Sequence, residues 1–285
     1  MTGFRLHAKA WSLPMVLLVA LTVAGCAGSK DKEEAAANAP AAPVETLYNN
    51  GMDALNDQRY SSAEDQFNLV EQNYPYSVWA EKAQLMQGYS QYLQNHYTQA
   101  IATLDRYIQL HPANPDTAYA YYLRALCFYE QIEDVERDQK STTDAMTALQ
   151  QVVDKYPDTP YARDARLKID LARDHLAGHE MMIGRWYEDQ HLYEAAIGRF
   201  QGVVQDFQTT NHVAEALHRL VEIYLRLGMR QQALRTAAVL GYNYPGSAWY
   251  ADTYADLYQT KLIQGLPPPR GASHGFISRM WNTVF

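Results

Sequence analysis

The chain has 285 residues, of which 47% are hydrophobic, and a formal net charge of −8. An acidic chain without a Lys/Arg-rich patch is a poor ligand for polyphosphate, which argues against nucleic acid as a partner. With only Cys26 and Cys127 present there is no disulfide framework, so the fold must rest on core packing.

At the N-terminus, Arg5 and Lys9 precede an apolar run from Trp11 to Ala24. The run is shorter than the roughly 20 residues that span a bilayer and fits the core of a signal peptide. It closes on Val23-Ala24-Gly25-Cys26, the pattern of a bacterial lipobox. The expectation is cleavage after residue 25, with Cys26 carrying the lipid. The competing reading is an ordinary cleaved signal with an incidental cysteine. Loss of Arg5 and Lys9 would take the charge from −8 to −10. Ala27, by analogy with enteric bacteria, favours sorting to the outer membrane over retention by Asp. Residues 26–44 are Ala-rich with Pro40 and Pro43 and read as a flexible tether. Its r.m.s. reach of about 20–25 Å would hold the rest of the chain beneath the periplasmic face.

From residue 45 a repeat dominates. Ala63, Ala100, Ala145, Ala196 and Ala233 anchor five units spaced 37, 45, 51 and 37 residues apart, by subtraction. Four residues beyond each anchor stand Phe67, Leu104, Leu149, Phe200 and Ala237. Seven beyond stand Val70, Tyr107, Val152, Val203 and Leu240. Offsets of 0, 4 and 7 share one helix face. Then come an aromatic or His (Tyr74, His111, Tyr156, Phe207, Tyr244) and a helix-stopping Pro, with Gln208 in its place in the fourth unit. Ser77, Asn114, Thr159, Thr210 and Ser247 follow as expected N-caps, and Pro115 and Pro160 as first helical residues. Twelve residues before the anchors, Gly51, Gly88 and Gly184 permit close approach of a partner helix, whereas Val221 departs from the pattern. Together these predict an all-α, tetratricopeptide-like superhelix of about five repeats.

The long spacings predict two irregularities. A polar loop over Glu133–Lys140 accounts for the 45, and one long helix from about Tyr161 to Gln190 accounts for the 51. Leu167, Leu171, Ile183 and Tyr187 continue its apolar side. The units then divide into residues 45–157, with three repeats, and 158–264, with the bridging helix and the remaining repeats. Residues 265–285 begin with Pro267–Pro269 and end on Phe276, Ile277, Met280, Trp281, Val284 and Phe285, spaced as a short amphipathic helix that could dock on a partner or on headgroups.

In such arrays the first helix of each pair lines the concave face. That places Tyr48, Asn49 and Met52, then Met86, Tyr89 and Tyr92, then Tyr119, Tyr122 and Tyr129 along a candidate peptide groove, with Arg124 one position away as a partner for a carboxylate. The same rings could instead pack between helices, a choice the pattern leaves open. No catalytic or metal constellation stands out, and no cofactor is expected. His175 and His179 lie one turn apart but lack H-E-x-x-H order and a third ligand, so they read as a solvated face. Cys127 reads as a small buried apolar residue.

Several runs resemble the BamD/ComL family of outer-membrane assembly lipoproteins: Tyr74-Pro75-x-Ser77, Tyr156-Pro157-x-Thr159, His111 to Ala125, Arg137-Asp138, His179-Glu180 with Trp186-Tyr187, and Tyr193 to Ala196 with Arg199. The likeness covers about Leu47 to Leu240. It implies a scaffold of the β-barrel assembly machinery. Its N-terminal repeats would hold segments of unfolded outer-membrane proteins, and its C-terminal repeats the POTRA region of BamA, with Arg199 at the family's basic position for that contact. Accessory Bam lipoproteins would bind elsewhere. The other readings are a different periplasmic tetratricopeptide lipoprotein, such as a pilus-assembly pilotin or a cell-envelope coordinator, and a peptidoglycan-acting enzyme. No stretch outside the repeats is large enough to serve the last.

Overall fold

The small-then-large spacing on each second helix fixes how the pairs close. The computed structural model describes residues 42–264. The leader, Cys26, nearly all of the tether and the 265–285 tail lie outside the described residues. Eleven helices follow one another: α1 (Val44–Asn56), α2 (Tyr60–Asn73), α3 (Val78–Leu93), α4 (Tyr97–Leu110), α5 (Thr117–Tyr129), α6 (Lys140–Lys155), α7 (Pro160–Asp189), α8 (Tyr193–Asp206), α9 (His212–Arg226), α10 (Arg230–Asn243) and α11 (Ala248–Gln259). No strand occurs among the described residues. Each helix packs on the next, and each odd-numbered helix also touches the next odd one. Even-numbered helices make no comparable contact with each other. The stack therefore curves with the odd helices on its inner side, as a tetratricopeptide-like superhelix does.

All five anchor alanines are fully buried, as are the residues four and seven positions on. The glycines explain the interlock. A Cβ on Gly51 would stand 2.6 Å from the Phe67 ring, one on Gly88 2.9 Å from Leu104, and one on Gly184 2.5 Å from the Phe200 ring. Each glycine is the hollow that receives the large residue of its own unit. Val221 is not a weakness in this scheme, because its unit carries Ala237 where the others carry Phe or Leu, and both are buried in one core. The bulk has moved from the second helix to the first. In the third unit the small residue is again on the first helix, where Ala125 shares a core with Leu149 of the second.

The expected caps hold at three of five places. Ser77, Thr159 and Ser247 accept from Ala80, Ala162 and Tyr250 backbone N–H at 3.1, 3.2 and 3.1 Å, and Pro160 opens α7. Asn114 and Thr210 do not cap. Asn114 accepts from the Asp116 N–H at 2.7 Å within a turn, so the helix starts at Thr117, beyond Pro115. The buried Thr210 hydroxyl donates instead to the Phe207 carbonyl at 2.9 Å, and the helix starts at His212.

The long helix spans 30 residues, about 45 Å at 1.5 Å per residue. It packs on α6 with its first half and on α8 and α9 with its second. Its buried side is made of small residues, Ala165, Ala172, Ala177 and Gly178, with Met181. Leu167 and Leu171, which the sequence pattern placed on the apolar side, face outward and are about 60% exposed. The loop between α5 and α6 lies against the middle of α7. His179 Nδ1 meets the Val135 carbonyl oxygen, and His175 Nδ1 lies 3.1 Å from Gln139 Oε1. The two histidines are thus not a solvated face; they fasten the insertion to the bridging helix.

Candidate functional site

The inner layer carries a continuous run of aromatic side chains because its helices place Tyr at i, i+3 spacings (Tyr89/Tyr92 and Tyr119/Tyr122) on the face turned to the next odd helix. Tyr48 of α1 packs on Phe67 at 5.6 Å and on Trp79 of α3 at 4.9 Å between ring centroids. Met52, Met86 and Tyr89 flank the same core. Tyr89, Tyr92 and Tyr119 flank the next one. Tyr119 and Tyr122 then meet Tyr161 of α7 at 5.5 and 5.3 Å, the latter stacked. The structure therefore brings Tyr89, Tyr92, Tyr119 and Tyr122 together and adds Tyr161, which the repeat pattern did not mark because it follows a cap.

None of these rings is fully exposed; each is half-buried, with one side in the core and the other on the wall. Two of the hydroxyls are committed to acids. Tyr92 donates to Glu130 Oε1 at 3.4 Å, and Tyr122 donates to Asp164 Oδ2 at 2.5 Å. Burial and Glu130 push the Tyr92 phenol up to about 12. Burial, then the bond to Asp164, raises Tyr122 further still, and burial raises Tyr119. At neutral pH Tyr92, Tyr119 and Tyr122 thus present uncharged ring faces. Asn49 is exposed at the start of the wall, beside Tyr48.

Arg124 does not join this wall. Its Nε lies 2.5 Å from Asp105 Oδ1 of α4, its Nη1 3.5 Å from Gln151 Oε1 of α6, and its guanidinium 5.3 Å from the Phe128 ring. It faces the outer layer. One helical position off the tyrosine face is enough to turn a long side chain into the gap between pairs. Cys127 is fully buried, and burial pushes its thiol up to about 12, as suits an inert core residue.

Arg199, on α8, is anchored to α7. Its Nη1 donates to Glu180 Oε2 at 2.9 Å and to Oε1 at 3.2 Å. The bond to Glu180 raises its pKa, with a smaller contribution from Tyr187. Trp186, 56% exposed, packs edge-on against Tyr187 at 5.1 Å. Tyr187 thus lies between the half-exposed Arg199 guanidinium and the exposed Trp186 indole. Leu192 is exposed at the start of the same pair. A single exposed Trp carries no periodic signal, so spacing did not single out Trp186 as a contact.

No described helix is long and apolar enough to cross a membrane. The comparisons with known proteins agree with the residue runs. Residues 40–258 match the family model YfiO, described as outer membrane lipoprotein. The chain is 48% identical to the outer membrane protein assembly factor BamD of Caulobacter vibrioides over 93% of its own length and 86% of that protein. It is 45% identical to BamD of Rickettsia prowazekii over 85% of this chain and 94% of the relative. It is 33% identical to BamD of Neisseria meningitidis serogroup A over 73% and 84%. On residues, helical architecture and these similarities together, the chain belongs to the YfiO family of outer-membrane lipoproteins.

Proposed function

We propose that the chain is a non-enzymatic scaffold of outer-membrane protein assembly, tethered to the outer membrane through a lipid on Cys26 and facing the periplasm. The observation that carries this is 48% identity, over 93% of the chain, to a protein named as an outer membrane protein assembly factor. The tyrosine wall is the surface that receives segments of unfolded barrel proteins. Uncharged, half-buried ring faces offer apolar area at low entropic cost to an extended chain with aromatic or aliphatic side chains. The Arg199–Glu180 pair with Trp186 is the surface for the POTRA region of a BamA-like protein. Nothing in either place forms or breaks a bond.

Purification of the lipidated chain in mild detergent tests the reading. A BamA-like barrel protein is expected to co-elute with the native chain, and Arg199→Glu to reduce its recovery about tenfold or more, since truncating an interfacial charge pair costs about 2–5 kcal/mol. Full recovery with Arg199→Glu would move the contact elsewhere. A photoreactive residue at Asn49, the exposed site at the start of the wall, is expected to cross-link to nascent barrel proteins. Exclusive cross-linking to pilus or wall proteins would overturn the assignment.

A further inference from the structure

The last two inner helices meet through a group of side chains that the assembly role does not use. His218 of α9 is only 6% exposed. Its Nδ1 lies 2.8 Å from Thr253 Oγ1 of α11, and the Trp249 ring covers it at 5.3 Å. Its Nε2 makes no hydrogen bond; the nearest acid is Glu222 Oε2, at 3.6 Å, one turn along α9. Asp256, one turn beyond Thr253, approaches from α11. One ligand atom from each of His218, Glu222 and Asp256 lies within 4.8 Å of the other two.

Two further observations point to something this group would hold. The Asp256 carboxylate, half-buried, makes neither a hydrogen bond nor an ion pair. The surrounding acids Glu188, Glu215, Glu222 and Asp256, with the exposed Asp252 beside them, outnumber the three guanidinium groups Arg185, Arg219 and Arg226. Thr253, by accepting from Nδ1–H, would set the tautomer whose free lone pair on Nε2 is turned to the acids, the arrangement that fixes an imidazole as a metal ligand.

We propose that His218, Glu222 and Asp256 bind a divalent transition-metal cation of the zinc class and so clasp α11 to α9. One imidazole nitrogen and two carboxylate oxygens suit such an ion, with water at the remaining position. Bonds of about 2.0–2.2 Å require the three ligand atoms to draw together by about 1 Å, which side-chain rotation of the two acids supplies. Arg219 and Arg226 now contact Glu222 at 3.2 and 3.7 Å and compete for it. Both have other acids within reach: Arg219 has Glu215 at 3.6 Å, and Arg226 has Glu188 at 2.5 Å. The role is structural, since the ion would join the final helix to the pair before it.

Titration of the full chain with Co²⁺, read by its visible absorption, tests the site, followed by displacement with Zn²⁺. One saturating equivalent, and a higher melting temperature with Zn²⁺, are expected. Because His218 is buried and its loss could unfold the chain, the decisive variants are Glu222→Gln and Asp256→Asn, with folding checked by circular dichroism. Each should weaken Co²⁺ binding by at least about tenfold. Absence of saturable binding overturns the proposal, as does binding that persists unchanged in both variants, which would assign the ion to other histidines.

Discussion

At the scale of single residues the pairing of hollow and bulk is the most testable feature. Gly184→Ala places a methyl group where the Phe200 ring already stands. Overpacking of this kind costs about 1–3 kcal/mol. The fifth unit shows the remedy, since it carries Val221 against Ala237. The double change Gly184→Val with Phe200→Ala is therefore expected to recover part of the loss suffered by Gly184→Val alone. Urea unfolding of the four species in a double-mutant cycle measures it; additive effects would refute the pairing. Tyrosines give a second expectation. Tyr92, Tyr107 and Tyr250 are each pushed up to about 12, mainly by burial, against about 10 in an unfolded chain. Between those values the folded state holds more protons than the unfolded one. Stability is thus complete below pH 10 and falls as pH rises from about 10 to 12. Denaturant midpoints taken across that range, with phenolate absorbance, follow it. The anchors, glycines and ring positions were readable because periodicity records which face is buried. Arg124 and His218 were not, because a side chain's final direction depends on which neighbour, Asp105 in one case and Thr253 in the other, the fold brings up from far along the chain.

At the scale of the helix the turns matter most. Gln58, Asn95, His191 and Gly228 each stand five residues before an anchor, at φ between 60° and 74°. In each, the next N–H reaches back five residues, as Arg59 does to the Ala54 carbonyl at 2.8 Å and Leu192 to Tyr187 at 2.9 Å. Only one of the four is the glycine such a left-handed end favours. Sequence inspection finds these turns only where glycine marks them, which is why helix starts were legible and the ends of the inner helices were not. His191→Gly is expected to stabilise the chain by up to about 1 kcal/mol, because the left-handed conformation costs a side chain about 1–2 kcal/mol and glycine's extra unfolded entropy returns part of that. Ser77→Ala should cost about 1 kcal/mol through its lost cap. Thermal unfolding of both variants checks the opposite signs. The long helix was legible from the 51-residue spacing, yet its buried side was not. Small residues face inward because the helix is flanked closely along its length, and the larger Leu167 and Leu171 are left outside.

At the scale of the molecule the cores are unequal. The units of the first half hold three separate clusters, around Phe67, around Leu104 and Tyr107, and around Leu149. The second half holds one large cluster that runs from Ala177 to Ile263. A stack with small separate cores opens unit by unit, whereas a shared core opens as a whole. Native-state hydrogen exchange should therefore show graded, lower protection in α1 to α5 and uniformly higher protection in α8 to α10. Equal protection throughout would contradict that division. Under the proposed role, the half that accepts varied polypeptides is the adaptable one, and the half that holds a fixed partner is the stiff one. The final inner helix has a consequence of its own. Lys261, at φ 57°, with Leu262 N–H bonded to the Leu257 carbonyl at 3.0 Å, bends the backbone as at the earlier pair junctions. An engineer wishing to lengthen the solenoid would thus find the corner already made: a designed outer helix grafted from Ile263 onward would set off antiparallel to α11, in register, with no new junction to invent.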